Sequence, residues 1–226
     1  MYEIAKRAID IVVSASLLVL LSPLFMVVIL VLRFTGEGEV FYLQKRIGYQ
    51  NQYFRIYKFA TMVKNSLNMG TGSITLRDDP RVTPVGKFLR LTKLNELPQL
   101  LNVLRGEMSL VGPRPFVDAT FQAYPPHVQE RVYNVKPGLT GIGSIVYRDE
   151  EGIISKSALP PADCYRDVIS PHKGALELWY QQHRSLWNDV KLLLLTVVAI
   201  VVPSGELVYR VFRGLPRPVL HEKLKC

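Results

Sequence analysis

Cysteine is almost missing from this chain: Cys164 and Cys226 stand far apart, with no CxxC spacing. That excludes a disulfide scaffold and a cysteine-ligated zinc site, and it fits a reducing compartment with two ordinary packing thiols. The four histidines, His127, His172, His183 and His221, fall at no metal-ligand spacing and receive no role. Acidic residues are outnumbered, 19 against 28 basic ones, which leaves a net charge of +9. Such a balance fits an anionic partner: nucleic acid, an acidic membrane surface or a phosphorylated metabolite. Nucleic acid fits worst, because the chain has no zinc finger, no aromatic RNA-binding set and no basic recognition helix. Internal repeats and low-complexity segments are also missing, so the 226 residues are expected to form one domain with appendages.

What the chain has in excess is apolar length. Hydrophobic residues make up 48% of it and crowd towards the N-terminus. From Ile11 to Leu32 run 22 residues without a charge. As a straight helix they would measure about 33 Å, just enough to cross a hydrocarbon core. No small-x-small cleavage site follows, which argues against a cleaved signal peptide. Ser22-Pro23 sits at the centre of the run, where proline bends or breaks a helix. Lys6 and Arg7 precede the run, and Arg33, Lys45 and Arg46 follow it, so both ends read as cytoplasmic. Two forms stay open on these residues: a proline-kinked span, or a helix–break–helix that dips into one leaflet and returns. A second apolar patch, Leu192 to Val202, has 11 residues and is too short to span. It lies between Trp179, Tyr180 and Trp187 and the cations Arg210, Arg213, Arg217, Lys223 and Lys225. It reads as a helix lying in the membrane interface or as an ordinary core helix.

The segment between is of α/β type. Val40 to Leu43 and Tyr53 to Phe59 read as strands, and Gln44-Lys45-Arg46-Ile47-Gly48 between them as a basic turn. Residues 64 to 80 are polar and loop-like, ending in Asp78-Asp79-Pro80. Thr83-Pro84 opens a helix that runs to Leu91. Asn95 is expected to cap the next helix, with Pro98 in its first turn. Leu97, Leu100, Leu101 and Leu104 supply the apolar stripe of that helix, and Gly106 its stop. An amphipathic stretch through Val128 to Val135 then leads to Lys136-Pro137-Gly138-Leu139-Thr140-Gly141, a turn signal.

The chemistry gathers in residues 94 to 115, LNELPQLLNVLRGEMSLVGPRP. Glu96, in a first helical turn, serves either the helix dipole or a Mg²⁺ ion arriving with phosphate. Arg114 stands between Pro113 and Pro115, which stiffen its backbone. It can offer its guanidinium to a phosphate at low entropic cost, or simply mark a rigid surface turn. Arg46, Lys58 and Arg90 are further cations for a phosphate site, and each reads equally well as a solvated charge.

Taken in order, these segments resemble a known family. Lys6-Arg7 with Asp10, Ser22-Pro23, Gln44 to Gly48, Tyr57-Lys58-Phe59 with Thr61-Met62, and Arg81-Val82-Thr83 with Gly86 come first. Leu97 to Leu100 with Asn102-Val103, Gly106 to Ser109, Val111 to Pro115 and Lys136 to Gly141 complete the set. The chain resembles, over nearly its whole length, the bacterial sugar transferases of the polyprenyl-phosphate type, the monotopic phosphoglycosyl transferases. The resemblance implies a helix-rich α/β fold: a re-entrant membrane helix over 1–36, a cytosolic catalytic domain over 37–186, and an interfacial amphipathic helix with a basic tail over 187–226. It implies transfer of a sugar 1-phosphate from a nucleotide diphosphate sugar to polyprenyl phosphate, with UMP released from a UDP-sugar. The setting it implies is the cytosolic face of the bacterial inner membrane, as the first membrane step of polysaccharide assembly. The partners are then a nucleotide sugar, polyprenyl phosphate and membrane lipid, with a homodimer admitted and nucleic acid excluded.

In this family an Asp-Glu pair carries the reaction. The aspartate attacks the sugar-bearing phosphate to form a covalent phospho-sugar intermediate, and the glutamate helps to hold Mg²⁺. Here Glu96 matches the glutamate, but Asn95 stands at the aspartate position. A carboxamide cannot form an acyl phosphate. That leaves a deliberately inactivated variant, a branch with another nucleophile or direct transfer, or a catalytically impaired homologue that binds nucleotide sugar or acts as a scaffold. Ala60 also replaces a usual basic residue. Residues 142 to 151, IGSIVYRDEE, replace the family's common Trp-Ala-Gln-Val-Asn-Gly-Arg run, in a region expected to contact the nucleotide sugar.

Overall fold

The computed structural model describes residues 1–70, 75–201 and 206–218. The architecture is helix-rich α/β. Two N-terminal helices, α1 (Tyr2–Leu20) and α2 (Ser22–Phe34), meet at a 60° bend. The break falls at Leu21, immediately before Ser22-Pro23, and the proline occupies the first turn of α2, where no donor is lost. Among the described residues no single helix is long and apolar enough to cross a membrane, whereas this bent pair passes by length and composition.

An antiparallel hairpin follows, β1 (Phe41–Ile47) with β2 (Tyr53–Phe59), in the register Phe41↔Phe59 to Ile47↔Tyr53. Gln44 to Ile47 therefore form strand rather than the expected turn. Their polar side chains misled because Gln44 and Arg46 line a cleft instead of facing open solvent. The actual turn is carried by Gly48 to Gln52, with Gln50 and Asn51 at positive φ. Gly48 is needed there, since a Cβ would meet the Phe54 ring at 2.6 Å.

Helix α3 (Pro84–Leu91) starts as expected, with the Thr83 side chain accepting from the Gly86 amide. Asn95, however, caps nothing. It lies inside a 3₁₀ stretch, Leu94–Gln99, that begins after Lys93 at φ +61°, and Pro98 postpones the α-helix to α4 (Leu100–Arg105). Gly106 ends α4 at φ +84°. Strand β3 (Ser109–Val111) pairs in parallel with β4 (Gly138–Thr140). The Pro-Gly segment 136–141 thus carries the short, mostly buried strand Gly138–Thr140 rather than a turn. Gly138 allows this, because a Cβ there would lie 2.1 Å from the Gly112 amide nitrogen.

The short helices α5 (Asp118–Gln122) and α6 (Pro126–Gln129) precede β4. Then come α7 (Ile142–Val146), α8 (Glu150–Lys156), α9 (Pro161–Cys164), α10 (Ser170–Gln182), α11 (Leu186–Val201) and α12 (Glu206–Val211). Leu100, Val103, Met108, Val111, Ile142, Leu176 and Leu192 form the main core, against which Val13 and Leu17 of α1 pack. A second cluster sets α2 (Val28, Leu32) against Phe59 of β2 and Leu89 of α3.

Helix α11 has two apolar faces. Leu192, Leu195 and Ala199 are buried, while Trp187, Val190, Leu194, Val197 and Val198 are exposed at helical spacing. Phe88 and Leu91 of α3 are exposed too. Cys164 is a buried free thiol, as its packing role requires. His172 is a structural residue that joins Tyr147 Oη to the Pro216 carbonyl. Val202, His221, Lys223, Lys225 and Cys226 lie outside the described residues.

Candidate active site

One cleft of about 1390 Å³ collects Arg46, Lys58, Arg90, Asn95, Glu96 and Arg114 on its walls. Each arrives from a different local structure. Lys58 and Arg46 project from the hairpin, where strand alternation aims every second side chain the same way. Arg90 comes from the last turn of α3, and Asn95 and Glu96 from the 3₁₀ stretch. Arg114 sits on the loop after β3, and that loop is fixed from several sides. The Tyr133 hydroxyl donates to the Arg114 carbonyl and accepts from the Phe116 amide, both at 2.8 Å. Pro113 and Pro115 are absent from the cleft wall and act through their carbonyls instead. Pro113 accepts from the Gly138 amide at 2.8 Å, and Pro115 from Arg46 Nη1 at 3.0 Å.

Glu96 is the electrostatic centre. Its side chain is 12% exposed, and Arg114 grips it with Nη2 on Oε1 at 2.5 Å and Nη1 on Oε2 at 3.2 Å. Lys58 Nζ adds a contact of 3.4 Å to Oε1. Burial works to raise the Glu96 pKa, but Arg114, Lys58 and Lys93 together hold it well below the usual carboxylate range. The glutamate raises the Arg114 pKa in return, against the effect of burial. Cations in excess of this one carboxylate bear the cost. Burial, then repulsion from Arg114, pushes Arg46 down to about 10. Burial pushes Lys58 down to about 7 although Glu96 opposes it, and Arg46, Arg114 and Arg90 add to the fall. A pocket with Arg46, Lys58, Lys93 and Arg114 around one carboxylate is undersupplied with negative charge.

Asn95 is 6% exposed, and its Oδ1 has no hydrogen-bond donor. A buried acceptor left unmatched costs about 1–3 kcal/mol, so its persistence on a cleft wall marks a place for a ligand. Ser144 Oγ is a second unpartnered buried atom on the same cleft.

Ser144, Tyr147 and Arg148, from the 142–151 run expected near the nucleotide sugar, also line the cleft, whereas Lys93, Tyr165 and Lys173 escaped the sequence reading. Lys93 directly precedes the Leu94–Pro115 segment and could have been read with it. Lys173, on α10, carries no sequence signal.

A family model described as bacterial sugar transferase matches residues 1–203. The chain belongs to the bacterial sugar transferase family. This transferase is 35% identical over 217 residues to the exopolysaccharide production protein ExoY of Sinorhizobium fredii, a match covering 90% of the chain and 88% of ExoY. It is 38% identical over 204 residues to the undecaprenyl-phosphate glucose phosphotransferase of Komagataeibacter xylinus, covering 85% of the chain and 35% of that protein. Against the undecaprenyl-phosphate galactose phosphotransferase of Salmonella typhimurium the identity is 34% over 215 residues, covering 88% of the chain and 41% of the relative. The transferase therefore matches ExoY nearly end to end and corresponds to well under half the length of the two phosphotransferases.

Proposed function

We propose that this transferase moves a sugar 1-phosphate from a UDP-sugar to polyprenyl phosphate, releasing UMP, as the first membrane step of exopolysaccharide or other glycoconjugate assembly. The carrying observation is the buried Glu96, held by Arg114 and Lys58 inside a cleft with cations to spare. That arrangement suits two phosphate-bearing substrates and neutralises charge on a transferring phosphoryl group. The residues also fit Mg²⁺. The Glu96 carboxylate and the unpartnered Oδ1 of neighbouring Asn95 are hard oxygen donors, and Glu96 would exchange an Arg114 or Lys58 contact for the ion, whose shell water and substrate phosphate usually complete. Bound there, Mg²⁺ would act as a Lewis acid on phosphate oxygens. Asn95 favours a second reading, a chain that binds both substrates and turns over slowly. The test is UMP release from a panel of UDP-sugars with Mg²⁺ and polyprenyl phosphate, run on this chain and on Asn95→Asp. Release by neither form sinks the enzyme reading.

The membrane arrangement we propose is re-entrant, with residues 1–36 dipping into the cytosolic leaflet. It is supported by the fastening of both ends to one domain. Near the start of α1, Lys6 bonds Asp189 at 2.8 Å and Arg7 bonds the carbonyls of Val103 and Leu104. Towards its end, α2 packs on β2 and α3. The exposed apolar faces of α3 and α11 then lie on the lipid surface. Single cysteines at Glu3 and Glu39, in a Cys226→Ser background, are expected to label from the cytosolic side only. Labelling of the two from opposite sides rules the re-entrant form out.

Lys58 gives substrate binding a pH dependence. With its pKa near 7 in the free protein, the charged form that pairs with phosphate is lost as pH rises through neutrality. UDP-glucose has a diphosphate that does not titrate there. Its affinity, measured without divalent cation, is expected to fall about tenfold between pH 6.5 and 8.5. Lys58→Met is expected to bind more weakly and without that slope, and an unchanged slope excludes Lys58 as its source.

A further inference from the structure

Three consecutive carboxylates, Asp149, Glu150 and Glu151, each hold a cation from a different part of the chain. Asp149 takes Arg77 Nη2 at 2.8 Å, Glu150 takes Lys173 of α10, and Glu151 takes Arg90 of α3. All six residues line the cleft. Acidic residues at a helix start complement its dipole without any partner. Pairing across 23, 61 and 72 positions goes beyond that role. The Arg77–Asp149 pair is more than half exposed and weak. The Lys173–Glu150 pair is different. The lysine side chain is 4% exposed, and its ammonium lies 5.7 Å from the Phe116 ring centre, 5.8 Å from Tyr147 and 6.0 Å from Tyr165. Its partner Glu150 is 29% exposed, so the pair meets the cleft through the carboxylate. Arg90 and Glu151 are 26% and 45% exposed.

A nearly sealed cation at a ligand cleft needs a counter-charge at all times, because an uncompensated buried ammonium is strongly destabilising. A phosphate oxyanion can replace a carboxylate there, ion pair for ion pair. We propose that Lys173 and Arg90 form a second phosphate subsite of the cleft, which Glu150 and Glu151 occupy in the ligand-free protein. It rests on the reading that substrate phosphates enter this cleft. The reaction brings two phosphate carriers, the donor's diphosphate and the acceptor's monoester. The Glu96 cluster holds one, and the Lys173–Arg90 subsite holds the other. Glu150 and Glu151 swing out as the second ligand arrives, which opens the start of α8.

Calorimetric binding of UDP and of geranyl phosphate to the full chain tests this, at low salt and without divalent cation. The double variant E150Q/E151Q keeps side-chain shape and removes the internal competitor. It is expected to bind one probe about tenfold tighter, and that probe identifies whether donor or acceptor uses the subsite. Adding K173M to the double variant is expected to abolish the gain. In the wild-type chain the same probe is expected to speed amide exchange at residues 150–156, the opposite of ordinary ligand protection. Equal affinity of wild type and double variant for both probes overturns the subsite, as does slower exchange at 150–156. If neither probe binds any form, the subsite and the anion-binding reading of the cleft fall together.

Discussion

Replacing Asn95 with aspartate is expected to raise UMP release by about 10³-fold, the scale on which gaining or losing a nucleophile acts. The carboxamide oxygen of Asn95 is a feeble nucleophile, and its nitrogen cannot leave to give an acyl phosphate. A carboxylate at the same place attacks the sugar-bearing phosphorus while UMP departs with the bridging electrons. The resulting phospho-sugar on the aspartate then passes to polyprenyl phosphate in a second displacement. Splitting the transfer this way lets a soluble donor and a lipid acceptor react in turn.

The structure accepts the change without strain. Asparagine and aspartate have the same shape, and the unpartnered Asn95 Oδ1 gives up no hydrogen bond. A second buried negative charge beside Glu96 normally drives one carboxyl to stay protonated. Here the surplus cations Arg46, Lys58, Lys93 and Arg114 oppose that effect, so both carboxylates are expected to ionise. Incubation of Asn95→Asp with UDP-sugar and no acceptor should yield UMP up to one equivalent and then stop. Asn95→Ala should show neither the gain nor the burst. Equal turnover by wild type and Asn95→Asp means that this transferase passes the sugar phosphate directly, and the covalent route is then wrong for it.

How far the sequence reached can be judged residue by residue. Tyr53 to Phe59 was legible as strand because alternation of burial is a local, two-residue period. Its partner was half missed, since β1 places Gln44 and Arg46 in the cleft and so carries the polarity of a turn. Lys136 to Gly141 failed for a different reason. Proline and glycine usually punctuate turns, but Gly138 is here because two backbones approach too closely for any side chain. Glu96, Arg114, Lys58 and Arg46 stood out as charges in suggestive places. Only the fold brings them together, because β1, β2, the 3₁₀ stretch and the loop after β3 converge from 18 to 69 positions apart. The pairs of Glu150 and Glu151 left no trace in the sequence, since an ion pair between remote helices has no periodicity to betray it.

The second large effect concerns the anchoring of α1. Asp189 of α11 is 6% exposed and accepts three hydrogen bonds: Lys6 Nζ at 2.8 Å, Tyr2 Oη at 2.9 Å and Tyr180 Oη at 2.7 Å. Two of the donors belong to α1, so this carboxylate ties α1 to the core. Asp189→Ala leaves the Lys6 ammonium, itself 13% exposed, without its counter-ion. Breaking a buried pair from one side costs about 3–5 kcal/mol. For a chain of this size each kcal/mol lowers the melting temperature by about 2–4 °C, so a fall of about 10 °C is expected in detergent. Asp189→Asn keeps the acceptor and should lose roughly half as much. Lys6→Met added to Asp189→Leu removes both charges and should recover part of the loss, because an apolar pair replaces the ion pair while the Tyr2 and buried Tyr180 hydroxyls stay without their acceptor. The other ties of α1, Arg7 on the Val103 and Leu104 carbonyls and Asp10 Oδ1 on the Leu110 amide, persist in all of these variants. A melting temperature unmoved by Asp189→Ala would show that those contacts and the apolar packing of Val13 and Leu17 suffice, and that the polar hub is dispensable for holding α1.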